Sequence, residues 1–490
     1  MFDVIESIQS MAARNRLAPA LVGSNVYLTY EDLLDKVARV SNYLADRKVP
    51  RRSKVYLNIS DPNLRLIVTL ASLHYGLMPF ILLELGNVRD EIDYDFVIGS
   101  ARLYAPDVPA DITIDQALLD GKLADSRLRE FPALADDDIL FVGTTTGTTG
   151  RRKLVAQIVG PWVRRNSEPL RYAPDDRVMF TIGDVALYGF TLSCQILRAG
   201  AAIVRRLPNM AENLKLIGKY SVNRMVATPS ALERLMDNMD QLGVGCPTVK
   251  QISITGSLFH GGLVARLAKS FTAQLRVAYG SSEVGRVSEG IINPEAFKVG
   301  YVGELWPALK VISTGTEAAP AQITVINDKT RINSYYSKGN VIRDEQSFYA
   351  LPDLGYLDGY SLYVVGRDDE VFNISGNKFA FSTIEGAVRG LPGVRDVAVG
   401  SAATVGDPLG LIIAIVSDGM IDMSAAIERV VKLIRLRAVE SHLRIFRIPE
   451  IVRNDMGKID RRALVDAYAS QRKPFDQAVP KAMSRTSGHA

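Results

Sequence analysis

Residues 141–155 read FVGTTTGTTGRRKLV. The apolar run Ile139–Val142 leads into eight residues made only of glycine and threonine, closed by Arg151, Arg152 and Lys153. Glycines let backbone N–H groups approach an oxyanion, threonine hydroxyls add donors, and basic side chains supply positive charge. That is the anatomy of a phosphate cradle, with Thr145, Thr146, Gly147, Thr148, Thr149, Gly150 and Lys153 as candidate ligands. It is not a Walker loop, because GxxxxGK[ST] occurs nowhere in the chain. Nor is there a GxGxxG fingerprint: Gly243-Val244-Gly245 lacks the third glycine.

The rest of the chain narrows the class. At 490 residues it is long enough for more than one domain and a sizeable core. The balance of 58 basic against 54 acidic residues gives a net charge of only +4, which argues against a dedicated nucleic-acid surface. Two cysteines without CxxC spacing argue against a disulfide framework or a zinc site, and the four histidines are dispersed. The N-terminal MFDVIESIQSMAARN carries acids where a secretory signal needs a basic start, so a cytoplasmic location is expected. The segment 66–83, LIVTLASLHYGLMPFILL, is interrupted by His74 and Gly76–Pro79; it reads as a buried helix, a turn and a buried strand rather than a membrane span.

Short apolar runs recur between amphipathic stretches: VYLNI (55–59), RVMFTI (177–182), AAIVRR (201–206), RMVATP (224–229), KQISIT (250–255) and LRVAY (275–279). Helical patterns such as 29–47 and 230–239 alternate with them, which indicates α/β sheets covered by helices. Ser230 with Glu233, and Ser382 with Glu385, have the spacing of capping boxes. From about Ala321 the texture becomes short β segments, and a compact α+β unit follows the charged GRDDE at 366–370. The expected organisation is a large N-terminal domain (1–366) with a β-rich end, a small mobile α+β domain (370–472) and a disordered tail (473–490).

TTGTTGRRK (145–153) resembles the phosphate-loop signature of the adenylate-forming superfamily: acyl- and aryl-CoA synthetases, peptide-synthetase adenylation domains and luciferases. Further similar motifs follow in the family's order. They are Tyr279-Gly280-Ser281-Ser282-Glu283 (YGxTE), Asp353-Leu354-Gly355 with Asp358-Gly359 and Gly366-Arg367-Asp368-Asp369, and Met456-Gly457-Lys458-Ile459-Asp460-Arg461 (GKxxR). TYEDLLDKVARVSNYL (29–44) resembles the family's first helix, so the resemblance covers essentially the whole chain.

The resemblance implies roles that the residue types suit chemically. Glu283 becomes a Mg2+ ligand, Ser282 a donor to the α-phosphate, and Tyr279 a platform for adenine. Asp353 accepts from a ribose diol, with Arg367 nearby. Lys458 becomes the catalytic lysine that bridges the substrate carboxylate and the α-phosphate, and Asp369 the interdomain hinge. Ser375-Gly376 resembles the pair that CoA synthetases carry where pantetheine passes, which puts Gly376 in a thiol tunnel.

Departures from the family pattern are Arg152 and Leu154 around the loop lysine, Pro352 before the ribose aspartate, and Ala186 where many members place a His or an aromatic. Ala186, Tyr188, Gly189, Gly256 and Ser257 are the expected acid pocket, widened at Ala186 for a larger acid. The expected activity is ATP- and Mg2+-dependent activation of a carboxylic acid, then acyl transfer to a thiol, CoA first. One alternative is a stand-alone adenylation enzyme loading a phosphopantetheinyl carrier protein in trans. The other is a nucleotide-binding member with lost or regulatory activity, motivated by Arg152 and Pro352. Between 432 and 473, eleven Lys/Arg stand against five Asp/Glu, a bias that suits a CoA phosphate, an acidic carrier or plain solvent equally.

Overall fold

The computed structural model describes residues 3–468 apart from 83–85, 104, 122–124, 145–152, 167–170, 184–186, 308, 328–333, 338–339, 344–347, 368–369, 375–376, 403–409, 418, 420, 435–442 and 454–458. Its largest sheet has 13 strands among the described residues. Six of them, 274–281, 251–254, 224–227, 177–180, 202–204 and 19–22, run parallel in that spatial order. Helices Leu187–Arg198, Met210–Lys219, Pro229–Leu242 and Gly261–Ser270 fill the crossovers, as parallel pairing requires. Antiparallel strands 285–291, 301–305, 361–367, 348–358, 321–327 and 309–313 extend the same sheet. These form the β-rich end expected from the sequence.

A second sheet orders strands 340–343, 334–337, 154–158, 139–144, 78–81, 54–58, 96–99 and 112–113. Its apolar face and helices Tyr30–Asp46 and Pro62–Tyr75 share one core with the parallel strands, centred on Phe141, Trp162, Phe190 and Ile196. Tyr30, fully buried, donates from its hydroxyl to Leu197 O (3.1 Å) and Ala201 O (2.8 Å), tying helix Tyr30–Asp46 to the opposite layer. Thr29 and Asp32 form a reciprocal capping box that starts this helix.

The membrane-like segment resolves as expected. Asp61 caps Pro62–Tyr75 by accepting from Asn63 N and Leu64 N, and Gly76 ends the helix at φ 95° before the buried strand Met78–Ile81. A left-handed residue at that position favours glycine. Among the described residues no helix is long and apolar enough to cross a membrane.

The C-terminal unit has its own core. Strands 394–401, 411–417 and 443–447 form a three-stranded sheet, with helices Phe381–Arg389 and Met423–Ile434 on one face and Arg461–Tyr468 on the other. Neither of the other two capping boxes forms. The helix containing Ser230 begins at Pro229 with Thr228 as its N-cap, and Glu233 lies 3.5 Å from His260 Nε2. The helix at 381 starts at Phe381 with Ala380 before it; Ser382 Oγ donates to Val365 O (2.9 Å), and Glu385 is buried against Arg461. In both cases a tertiary partner outcompetes the local backbone bond that the spacing predicts.

Candidate active site

A cavity of about 1240 Å³ opens between the large sheet, the loop side of the second sheet and the C-terminal unit. Strand Gln274–Ser281 delivers Tyr279 to it, and the turn into Gly285–Ile291 delivers Ser282 and Glu283. The turn is tight: a Cβ on Gly280 would lie 2.2 Å from Gly285 O, so this position admits only glycine.

Asp353 and Arg367 are register partners on adjacent strands. Tyr279 donates from its hydroxyl to Asp353 Oδ2 at 2.5 Å, across 74 residues of sequence. Burial, then the charge of Asp353, holds the Tyr279 hydroxyl protonated far above its ordinary range, with Arg367 opposing. The three residues form one polar cluster around a carboxylate, a group with acceptor oxygens of the kind a ribose diol needs.

Lys153 lies at the loop end of strand Leu154–Ile158, with its Nζ 5.4 Å from the Tyr335 ring centroid. The Tyr335 hydroxyl reaches the Tyr349 hydroxyl at 3.4 Å. Burial pushes the Tyr349 hydroxyl up, and the neighbouring Glu283 carboxylate, which it hydrogen-bonds, raises it further. Two tyrosines therefore link the phosphate-loop lysine to Glu283. Neither tyrosine belongs to a motif; both lie in the β segments between the family signatures.

On the side expected to hold the acid, Tyr188 stands on helix Leu187–Arg198 and is 38% exposed, its surface given to the cavity. Gly256, at φ +94°, and Ser257 line the same wall. Gly189 is buried behind them, its carbonyl accepting from Ser193 Oγ at 3.0 Å, and does not line the cavity. Arg171, Arg276 and Arg286 surround the single carboxylate of Glu289, and Arg286 stacks over Trp306 at 4.1 Å.

The C-terminal unit contributes Arg461, which donates to Glu385 (2.5 Å), Val399 O (2.7 Å) and Glu370 (3.2 Å), and Ile459 beside it. Arg389 and Arg453 both bind Asp396. Burial alone would raise that carboxyl; the two guanidinium groups hold it below the usual aspartate range. Lys458, the loop residues Thr145, Thr146, Gly147, Thr148, Thr149 and Gly150, and Ala186, Asp369 and Gly376 lie outside the described residues.

A magnesium ion needs one or two carboxylates plus nucleotide phosphate oxygens rather than an all-protein cage. Glu283 fits that donor set, and no cluster of three or more His, Cys, Asp or Glu occurs among the described residues to offer a different one.

The model of the AMP-binding enzyme family matches residues 8–332, and the chain belongs to that family. Among curated relatives, a phenylacetyl-CoA ligase of Aspergillus niger is 30% identical over 132 residues, covering 25% of this chain and 24% of the relative. The matched stretch is thus about a quarter of that relative's length. A 4-chlorobenzoate–CoA ligase of Arthrobacter sp. is 22% identical over 472 residues, 89% of each chain. Of solved structures, ATP-bound MatB from Rhodopseudomonas palustris superposes with a TM-score of 0.77 at 18% identity, covering 96% of this chain and 100% of that one. The o-succinylbenzoate CoA synthetase of Bacillus subtilis in complex with AMP gives 0.75 at 18%, covering 94% and 97%. These likenesses establish the two-domain fold.

Proposed function

We propose that the protein is an ATP- and Mg2+-dependent acid–thiol ligase of the acyl- or aryl-CoA synthetase type. One observation carries the reading: Tyr279, Asp353, Arg367, Glu283 and Lys153, drawn from three separate motifs, border one cavity. The CoA-ligase activities named for the phenylacetyl and 4-chlorobenzoate relatives support it.

In the first half-reaction a carboxylate oxygen bonds to the α-phosphorus as the α–β phosphate bridge breaks, and pyrophosphate leaves with the electron pair. In the second, a thiol sulfur bonds to the acyl carbon, the thiol proton is lost, and AMP departs. Asp353 with Tyr279 and Arg367 holds the ribose; Lys153 and the loop screen the phosphates; Lys458 neutralises charge between carboxylate and α-phosphate. Bound at Glu283, Mg2+ supplies electrostatic screening of the triphosphate. The small domain turns about Asp369 between the halves, and pantetheine passes Gly376.

ATP–pyrophosphate exchange across an acid panel tests the activity, and CoA against a carrier protein tests the acceptor. Exchange with an acid, followed by acyl-CoA formation, is the expected result. Failure of every acid while ATP still binds would favour the regulatory alternative. Loading of a carrier but not CoA would favour the stand-alone adenylation enzyme.

A further inference from the structure

The acid side of the cavity contains a positive charge that neither half-reaction uses. Arg165 ends helix Val159–Asn166 and lines the cavity. Its Nη2 donates to the Gln157 side-chain oxygen, a neutral acceptor, while its Nε is buried without a hydrogen-bond partner. No carboxylate pairs with it among the described residues, and burial pulls the guanidinium down to about 10 with no acid opposing the shift. Gln157, 4% exposed, leaves its own amide nitrogen unpartnered as well. A half-buried cation with its Nε shut off from solvent and no counter-charge is costly. It is worth keeping where a bound ligand supplies the missing charge.

Position decides which ligand. Gln157 lies four residues beyond Lys153 along its strand, about 13 Å at 3.3 Å per residue, so the backbone that holds the partner of Arg165 is well removed from the loop lysine's. A Cβ on Gly285 would sit 3.3 Å from Arg165 Cδ and 3.4 Å from Nη1, which puts the guanidinium against the turn beyond Glu283. Helix Leu187–Arg198 adds the polar Thr191 and Gln195 to the same lining, and Gln195 Nε2 donates to Asn166 Oδ1 at 3.1 Å. Next along the chain, Arg286 shares Glu289 with two other arginines, so that corner is also rich in positive charge.

We propose that Arg165 binds a second carboxylate at the far end of the acid, so that the ligase acts on dicarboxylic acids rather than on plain aliphatic or aromatic ones. This rests on the ligase reading of the same cavity. An unsubstituted acid of the same length leaves the half-buried guanidinium without a counter-charge; a diacid gives it a charge-assisted hydrogen bond.

The test compares adipate with hexanoate, and isophthalate with benzoate, by kcat/KM in ATP–pyrophosphate exchange. Each diacid should exceed its monoacid, and Arg165→Met should lower that ratio by about 10- to 100-fold, the range for losing a hydrogen bond to a charged group. Arg165→Lys, which keeps the charge, should retain the diacid preference and guards against a misfolded Met variant. Monoacids outpacing diacids in the wild type, or a ratio that Arg165→Met leaves unmoved, would overturn the proposal while leaving the ligase standing. A rise in KM for ATP without a change in the ratio would make Arg165 a phosphate ligand and overturn it equally. If no acid supports exchange, the ligase reading fails; calorimetric titration of adipate onto the whole protein then judges the arginine alone, and equal affinity for wild type and Arg165→Met sinks it.

Discussion

A lysine that bridges a carboxylate and an α-phosphate acts only while both are present, so the two half-reactions report on Lys458 separately. Lys458→Ala should slow adenylation by about 100- to 1000-fold, the cost of losing one transition-state charge contact. Thioester formation from pre-made acyl-adenylate should persist; equal loss in both halves of a folded variant refutes the role. Glu283 is argued from its surroundings as well as its motif. Its bonded Tyr349 hydroxyl stays protonated, so that hydroxyl serves Glu283 as a hydrogen-bond donor. Glu283→Gln removes the charge a hard cation needs and should raise the Mg2+ concentration for half-maximal rate roughly tenfold or more. An unchanged titration removes Glu283 from the metal site.

At the level of elements, the face of the C-terminal sheet and helix toward the cavity is held by ion pairs more than by caps. Asp396, one-fifth exposed, joins Arg389 from helix Phe381–Arg389 to Arg453 from the segment after the last strand. Its folded pKa is lowered, so the stabilisation is fully present above the unfolded aspartate value near 3.9 and is lost as pH falls through the folded one. Asp396→Asn should therefore cost about 3 kcal/mol at neutral pH, the scale for stranding a buried charge, with the gap to wild type closing in acid. Urea unfolding at pH 7 and pH 3 measures it; a gap that does not narrow contradicts the assignment. Glu385 shows why spacing misled here. Its carboxylate accepts from Val399 N (2.9 Å) and Arg461, and a partner 76 residues away is invisible to a four-residue pattern.

For the whole molecule, the cavity is bordered by both units, so any turn of the small domain must remake its wall. Ser382 Oγ to Val365 O and the close fit of Gly366 to Ala380, 2.7 Å from a would-be Cβ, brace one arrangement of the two units. If the chain pivots at Asp369, proline there fixes its φ at about −65° and restricts Asp368, stiffening the connection. Asp369→Pro should spare adenylation and reduce thioester formation by about tenfold or more, since the second half needs the other arrangement. Single-turnover assays of each half separate the outcomes; a loss confined to adenylation places the pivot elsewhere.

The sequence by itself determined what depends on local periodicity and local chemistry. The strands at 177–180, 202–204, 224–227 and 251–254, the helix, glycine break and strand of segment 66–83, and the AMP-binding family were all legible, because apolar runs, glycine breaks and motif spacing are written in consecutive residues. Only the tertiary structure decided which polar groups meet. The Tyr279–Asp353 bond, the Lys153–Tyr335–Tyr349–Glu283 link and the Glu385–Arg461 pair join residues far apart in the chain. Arg165, the second of two adjacent arginines in the sequence, became exceptional only when packing half-buried it beside Gln157 and Gly285 with no carboxylate paired to it among the described residues. Desolvation is a property of the packed interior, and no local pattern encodes it.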